Sequence, residues 1–189
     1  MNSLRIKALA LALLAAGTPA LPLAAQGTPP PPPDNIEAAA GELRVIHLWS
    51  TEPDEFMAAW AGPTPPKLPT SKRMERNQPI QQFVLYANCT RNAAGECHVT
   101  AKVLIFAPDG SAYGDPLAFE VVNGPATVPP GNIGMASGGI GLTVEDGEQL
   151  GRYRVELVVT DHNAGLTATS VVHLEAVEAG SLAGRRKEG

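Results

Sequence analysis

Tyr153-Arg154-Val155-Glu156-Leu157-Val158-Val159-Thr160 is the stretch on which the fold turns. Tyr153, Val155, Leu157 and Val159 alternate with Arg154, Glu156 and Thr160, which makes one side apolar and the other mostly polar. Successive side chains of a strand point to opposite faces, so this is the pattern of a half-buried antiparallel strand. Asp161 to Gly165 then supplies turn residues, and Ala168, Ser170, Val172, Leu174 and Ala176 alternate again. Working upstream, short runs rich in Val, Ile, Leu, Phe and Thr mark further strands at Gln82–Asn88, His98–Ala107, Leu117–Val122 and Ile140–Glu145. Pro108-Asp109-Gly110 carries turn chemistry, and the Pro- and Gly-rich Val128–Gly139 reads as a loop. Six or seven strands with little helix predict an all-β chain, an antiparallel β-sandwich over residues 80–178.

The only cysteines are Cys89 and Cys97, separated by a polar, Gly-containing stretch. In an exported chain an even, closely spaced pair predicts a disulfide, here a peg at the end of a hairpin made by Gln82–Asn88 and His98–Ala107. Both of those strands are apolar on both faces: Phe83 and Leu85 alternate with Val84 and Tyr86, and Val103 and Ile105 with Leu104 and Phe106. A second cover is therefore expected, either from within the chain or from a partner. The internal candidate is a short helix in which Thr51 caps, Pro53 sits in the first turn, Phe56, Met57 and Trp60 share a face, and Gly62-Pro63 ends the run. Leu43–Trp49 before it is a strand or a lead-in. Pro63–Pro79, with five prolines and the basic Lys72, Arg73 and Arg76, reads as an irregular connection. Residues 43–79 are thus expected to pack on the sandwich.

The N-terminus has the layout of a secretory signal peptide over residues 1–25: Arg5 and Lys7, an uncharged Ala- and Leu-rich run from Ala8 to Gly17, then small residues. Ala20 and Ala25 both suit cleavage. The apolar run spans about 10 residues where a membrane helix needs about 20, so no permanent span is expected. Five consecutive prolines, Pro29 to Pro33, favour an extended spacer, and residues 26–42 read as a Pro-rich stalk. Residues 179–189, polar with Arg185, Arg186 and Lys187, read as a disordered tail. Loss of Arg5 and Lys7 with the signal peptide takes the net charge from −5 to −7. That balance speaks against a nucleic-acid surface.

Gly151-Arg152-Tyr153-Arg154-Val155, following Glu145-Asp146-Gly147, resembles the penultimate strand of immunoglobulin-like and fibronectin-type domains. The resemblance implies that the Tyr153 hydroxyl bonds back to the preceding backbone as a corner. Val155 stands where antibody domains keep a cysteine. More broadly, Trp60, Phe83, Cys89, Gly95-x-Cys97, Pro108-Asp109-Gly110 and Gly151-x-Tyr153-x-Val155 together resemble a group of exported bacterial proteins with one such domain. That likeness covers about residues 52–177 and implies a periplasmic location without an activity.

No constellation for catalysis stands out. His47, His98, His162 and His173 are scattered, with no pair at common zinc spacing. Ser137 in Gly134-Met135-Ala136-Ser137-Gly138-Gly139 lacks the nucleophile-elbow pattern, and the same glycines are not followed by a phosphate-binding lysine and helix. Asp109, Ser111 and Asp115, and Asp146 with Glu148, are read as turn formers, with a calcium site as the weaker alternative. The expectation is a non-enzymatic, periplasmic or secreted binding module without cofactor or metal. It would recognise an envelope protein, exported peptide or glycan through end loops or an edge strand. A small periplasmic enzyme, with Asp161 and His162 lining a cleft, is the alternative.

Overall fold

The computed structural model describes residues 33–62, 66–126 and 128–182. The expected signal peptide, the spacer up to residue 32 and the tail beyond Leu182 lie outside the described residues. In chain order the elements are β1 (Glu37–Ala40), β2 (Leu43–Ser50), α1 (Pro53–Trp60), β3 (Arg73–Glu75), β4 (Ile80–Ala87), β5 (Glu96–Phe106), β6 (Leu117–Pro125), β7 (Gly134–Met135), β8 (Gly141–Leu142), β9 (Gly151–Asp161) and β10 (Leu166–Val177). They form two five-stranded sheets. One runs β1-β2-β4, with β7 and β8 both against the far side of β4; the other runs β3-β10-β9-β5-β6. All pairs are antiparallel except β3 with β10.

The inward parity of each strand meets in one core. Tyr153, Val155, Leu157 and Val159 of β9 are all buried, beside Val99 and Val103 of β5, Leu174 of β10 and Val45, Trp49 and Val84 from the facing sheet. The alternation of β9 thus has its physical counterpart in a strand packed on one side only.

The pairing of β4 with β5 differs from expectation. They belong to different sheets: β4 pairs with β2, β7 and β8, while β5 pairs with β6 and β9. The segment between them is a crossover, and its disulfide, Cys89 to Cys97, joins the end of one sheet to the start of the other. Separation also explains why both strands are apolar on two faces, because each has its own cover. Phe83 of β4 stacks on Phe56 of α1, with ring centroids 3.7 Å apart and planes 9° off parallel. Phe106 of β5 lies under the Arg154 guanidinium at 3.8 Å.

Helix α1 forms where expected, but Phe56 is its one fully buried residue. Met57, one position on and turned about 100° away, is 44% exposed, and Trp60 is partly buried. Burying Phe56 contributes about 2–3 kcal/mol. Thr51 does not cap: no side chain caps the helix, and the Ser50 hydroxyl instead accepts from the Glu52 amide.

Three stretches without alternation turn out to be paired. Glu37–Ala40, placed in the stalk by its flanking prolines, is β1; Ala-rich strands carry no period to read. The connection before Pro79 contains β3, too short for periodicity. Val128–Gly139 contributes β7, and of Ile140–Glu145 only Gly141 and Leu142 are paired. Between these two pieces the chain stays close to β4, with a Gln82 amide bond to the Ile140 carbonyl at 2.8 Å. Gly139 allows that approach, since a Cβ there would lie 2.7 Å from the Gln82 carbonyl oxygen. At the last described residue the Leu182 amide donates to the Glu75 carboxylate at 2.6 Å.

The chain enters the fold by touching both sheets in turn. Asn35 exchanges two backbone bonds with Val171 of β10, at 2.8 and 3.0 Å, and the next carbonyl, of Ile36, accepts from His47 of β2 at 2.8 Å. Asp34 anchors the crossing: its carboxylate accepts from Lys72 Nζ at 2.6 Å and from the His173 amide at 3.0 Å, and it lies 2.6 Å from His173 Nδ1. Burial pushes the Asp34 carboxyl up, but the bonds from Lys72 and His173 prevail and hold it at about 2.

Candidate functional site

The crossover between the sheets borders a cleft of about 510 Å³, lined by Asn88, Cys89, Thr90 and Arg91, by Val128–Pro130 and by Glu42. Each wall is tied down. Asn88 adopts a left-handed backbone, φ 58°, and its side-chain oxygen accepts from the Gly131 amide at 2.8 Å. Arg91 donates to the Val128 carbonyl at 3.0 Å. Asn92 folds the tip of the crossover, its side-chain oxygen accepting from the amides of Ala94 and Glu96 at 2.9 and 3.0 Å.

The β9–β10 turn braces this loop from behind. Asp161 is fully buried, and its carboxylate accepts from the Thr90 amide at 2.8 Å and from Asn163 and Ala164 at 3.1 and 3.2 Å. Asn163 donates to the carbonyls of Thr90 and Glu96, both at 2.9 Å. His162, by contrast, is on the exposed side of the turn, bonded to the Thr100 hydroxyl at 2.8 Å and stacked on His98 at 4.2 Å. Asp161 and His162 therefore point apart.

The remaining sequence candidates fall elsewhere. Tyr153 donates its hydroxyl to the Gln149 carbonyl at 2.7 Å and meets Tyr113 edge-on, 5.3 Å between ring centroids. Asp109 accepts from the Ser111 amide and hydroxyl and from Gln149, which together lower its carboxyl, led by the Ser111 hydroxyl bond. Glu148 accepts from Tyr113 and from the Glu145 amide, and Asp146 from Asn77. These acids build turns. Among the described residues no three His, Cys, Asp or Glu side chains are grouped to hold a metal ion. No helix among them is long and apolar enough to cross a membrane.

Sequence reasoning missed a polar network in the core. His47 of β2 sits between the sheets with Nδ1 3.1 Å from the Ser170 hydroxyl of β10. Its Nε2 accepts from Trp49 Nε1 at 2.9 Å, and the Gln82 amide nitrogen lies 2.8 Å away. Because indole nitrogen only donates, Nε2 carries the lone pair and Nδ1 the proton. Burial pushes the His47 imidazole down to about 3. The signal was available in parity: His47 is in phase with Leu43, Val45 and Trp49, and Ser170 with Ala168, Val172 and Leu174.

No protein-family model matches the chain, and no curated protein matches it in sequence. Three solved structures overlap loosely with it. A CARDB domain from Pyrococcus furiosus, in complex with di-metal ions, gives a TM-score of 0.35 at 14% identity over 56% of this chain and 80% of that one. The alkylpurine DNA glycosylase AlkC of Pseudomonas fluorescens, bound to DNA containing an abasic site analog, gives 0.37 at 14% identity over 71% and 31%. A Niemann-Pick type C2 protein from Japanese carpenter ant gives 0.35 at 8% identity over 77% and 96%. Overlap this slight assigns no activity to the chain.

Proposed function

We propose that this chain is a non-enzymatic binding module of the periplasm or the secreted fraction, with its two sheets forming an immunoglobulin-like sandwich. Its recognition surface is the cleft beside Cys89 and Cys97, and its partner an envelope protein or exported peptide. The observation that carries this reading is the bracing of that cleft. Disulfide, Asp161, Asn163, Asn88 and Arg91 fix its walls before any partner arrives, and preformed surfaces lose less entropy on binding. Val128, Pro129 and Pro130 offer a rigid apolar wall, with Arg91 and Glu42 as charges of opposite sign. The polar side chains behind the cleft, Asp161 and Asn163, are engaged with backbone. The net negative charge favours a protein partner over nucleic acid.

A photo-crosslinker placed at Pro130 in the mature protein, within its native envelope, tests the proposal, with a second at exposed Ala58 of α1 as control. A defined adduct from position 130, absent from position 58 and lost in Arg91→Ala, is the expected result. Equal labelling from both positions, or none, would overturn the reading.

A further inference from the structure

A second cavity opens on the side of the molecule away from Asp34. There the edge of one sheet, Val103 and Ile105 of β5 with Leu117 of β6, faces Gly141 and Leu142 of β8 across a slot of about 300 Å³. Val103 and Leu142 are 1% and 4% exposed, so the floor of the slot is the hydrophobic core, while Leu117 at the rim is 48% exposed. This volume is about twice the ~150 Å³ apolar cavity that admits benzene, and it falls at the small end of ligand pockets.

The chemistry at the mouth is one-sided. Asp115 contributes a carboxylate, and no basic residue lines the slot. Tyr113 also lines it, but its hydroxyl already donates to the Glu148 carboxylate at 2.8 Å and lies 3.2 Å from the Thr143 carbonyl, so it has no hydrogen left for an anion. Burial and the neighbouring Glu148 raise this phenol further, which keeps it protonated. An apolar floor with a carboxylate and no basic side chain at its mouth favours a ligand that is apolar in body and cationic at one end.

We infer that the slot between β5, β6 and β8 is a binding site for a small organic ammonium compound, its flat or branched body against Val103, Leu117 and Leu142 and its charge beside Asp115. Tryptamine and indole-3-propionate share a ring system and differ in charge, so they serve as probes in an NMR titration of the full mature chain. Tryptamine should shift the methyl resonances of Val103, Leu117 and Leu142 saturably. Indole-3-propionate should bind about fivefold more weakly, and Asp115→Asn should erase the difference between them. Ile105→Trp, which fills the slot, should abolish binding; a thermal melt checks that both variants fold. Equal affinity for the two probes, shifts confined to other methyls, no shift at millimolar tryptamine, or tryptamine binding that survives Ile105→Trp would each overturn the assignment. So would broadening of the Leu117 methyl with protein concentration alone, which would give the slot to a second copy of the chain.

Discussion

Along one long side of the molecule, where β2 faces β10, the two sheets are joined by polar contacts; along the other, where β6 faces β7 and β8, they nearly part. On the first side Asn35 pairs with Val171, Asp34 ties His173 to Lys72, and His47 reaches Ser170 across the core. On the second, the Ser137 amide and hydroxyl reach Val121 and Glu120 carbonyls only at 3.4 and 3.3 Å. Gly138 lies against the Phe119 ring, and beyond it the slot is open. The difference teaches how stability is distributed. Buried polar groups bonded across the layers fix register and hold one side shut, and this leaves the other side free to keep apolar surface exposed.

The contrast breaks most easily at His47. His47→Leu strands the Ser170 hydroxyl, the Trp49 indole nitrogen and the Gln82 amide in the core, and each buried orphan costs about 1–3 kcal/mol. A loss of about 3 kcal/mol in urea unfolding is expected; a loss under about 1 would show that the network does not hold this side. Acid gives the same test without mutation. The unfolded chain protonates this imidazole near its ordinary 6.5, while the folded one refuses the proton until about 3. Stability from this group is therefore complete above 6.5 and drains away toward 3, by at most about 1.4 kcal/mol per pH unit. His47→Leu should flatten that slope.

A smaller effect is expected at Asp34. Asp34→Ala removes charge-assisted bonds to Lys72 and His173, at a cost of about 1–2 kcal/mol, and should speed hydrogen exchange at the Val171 and His173 amides first. Because the folded carboxyl is held at about 2 against an ordinary 3.8, the wild-type contribution is present above 3.8 and lost as the pH falls to 2. The smallest effect belongs to the open side. Leu117→Ser, at a half-exposed rim position, should change stability by no more than about 0.5 kcal/mol. A larger loss would mean that the slot is closed in solution and the two sides are alike.

Legibility followed periodicity. β9 and β10 declare themselves because each has one wet and one dry face, so their parity carries through eleven paired positions without slip. The partner of β4 was not legible: apolar residues on both faces say that a strand is covered twice, not by what, and the crossover between sheets has the same turn residues as a hairpin. β1 and β3 were hidden by composition, one Ala-rich and one only three residues long. The cleft beside the disulfide lay beyond reach for another reason. Its walls come from Glu42, Asn88–Arg91 and Val128–Pro130, segments with no common period, brought together by the change of sheet.

The entry point at Asn35 has a mechanical consequence. A chain pulled from its N-terminus is loaded first at the Asp34 carboxylate and at the paired bonds of Asn35 and His47. Tension there is shared between both layers at once, so β1 cannot be peeled from β2 until the grip on β10 has failed, and rupture under force is governed by that step's unfolding rate.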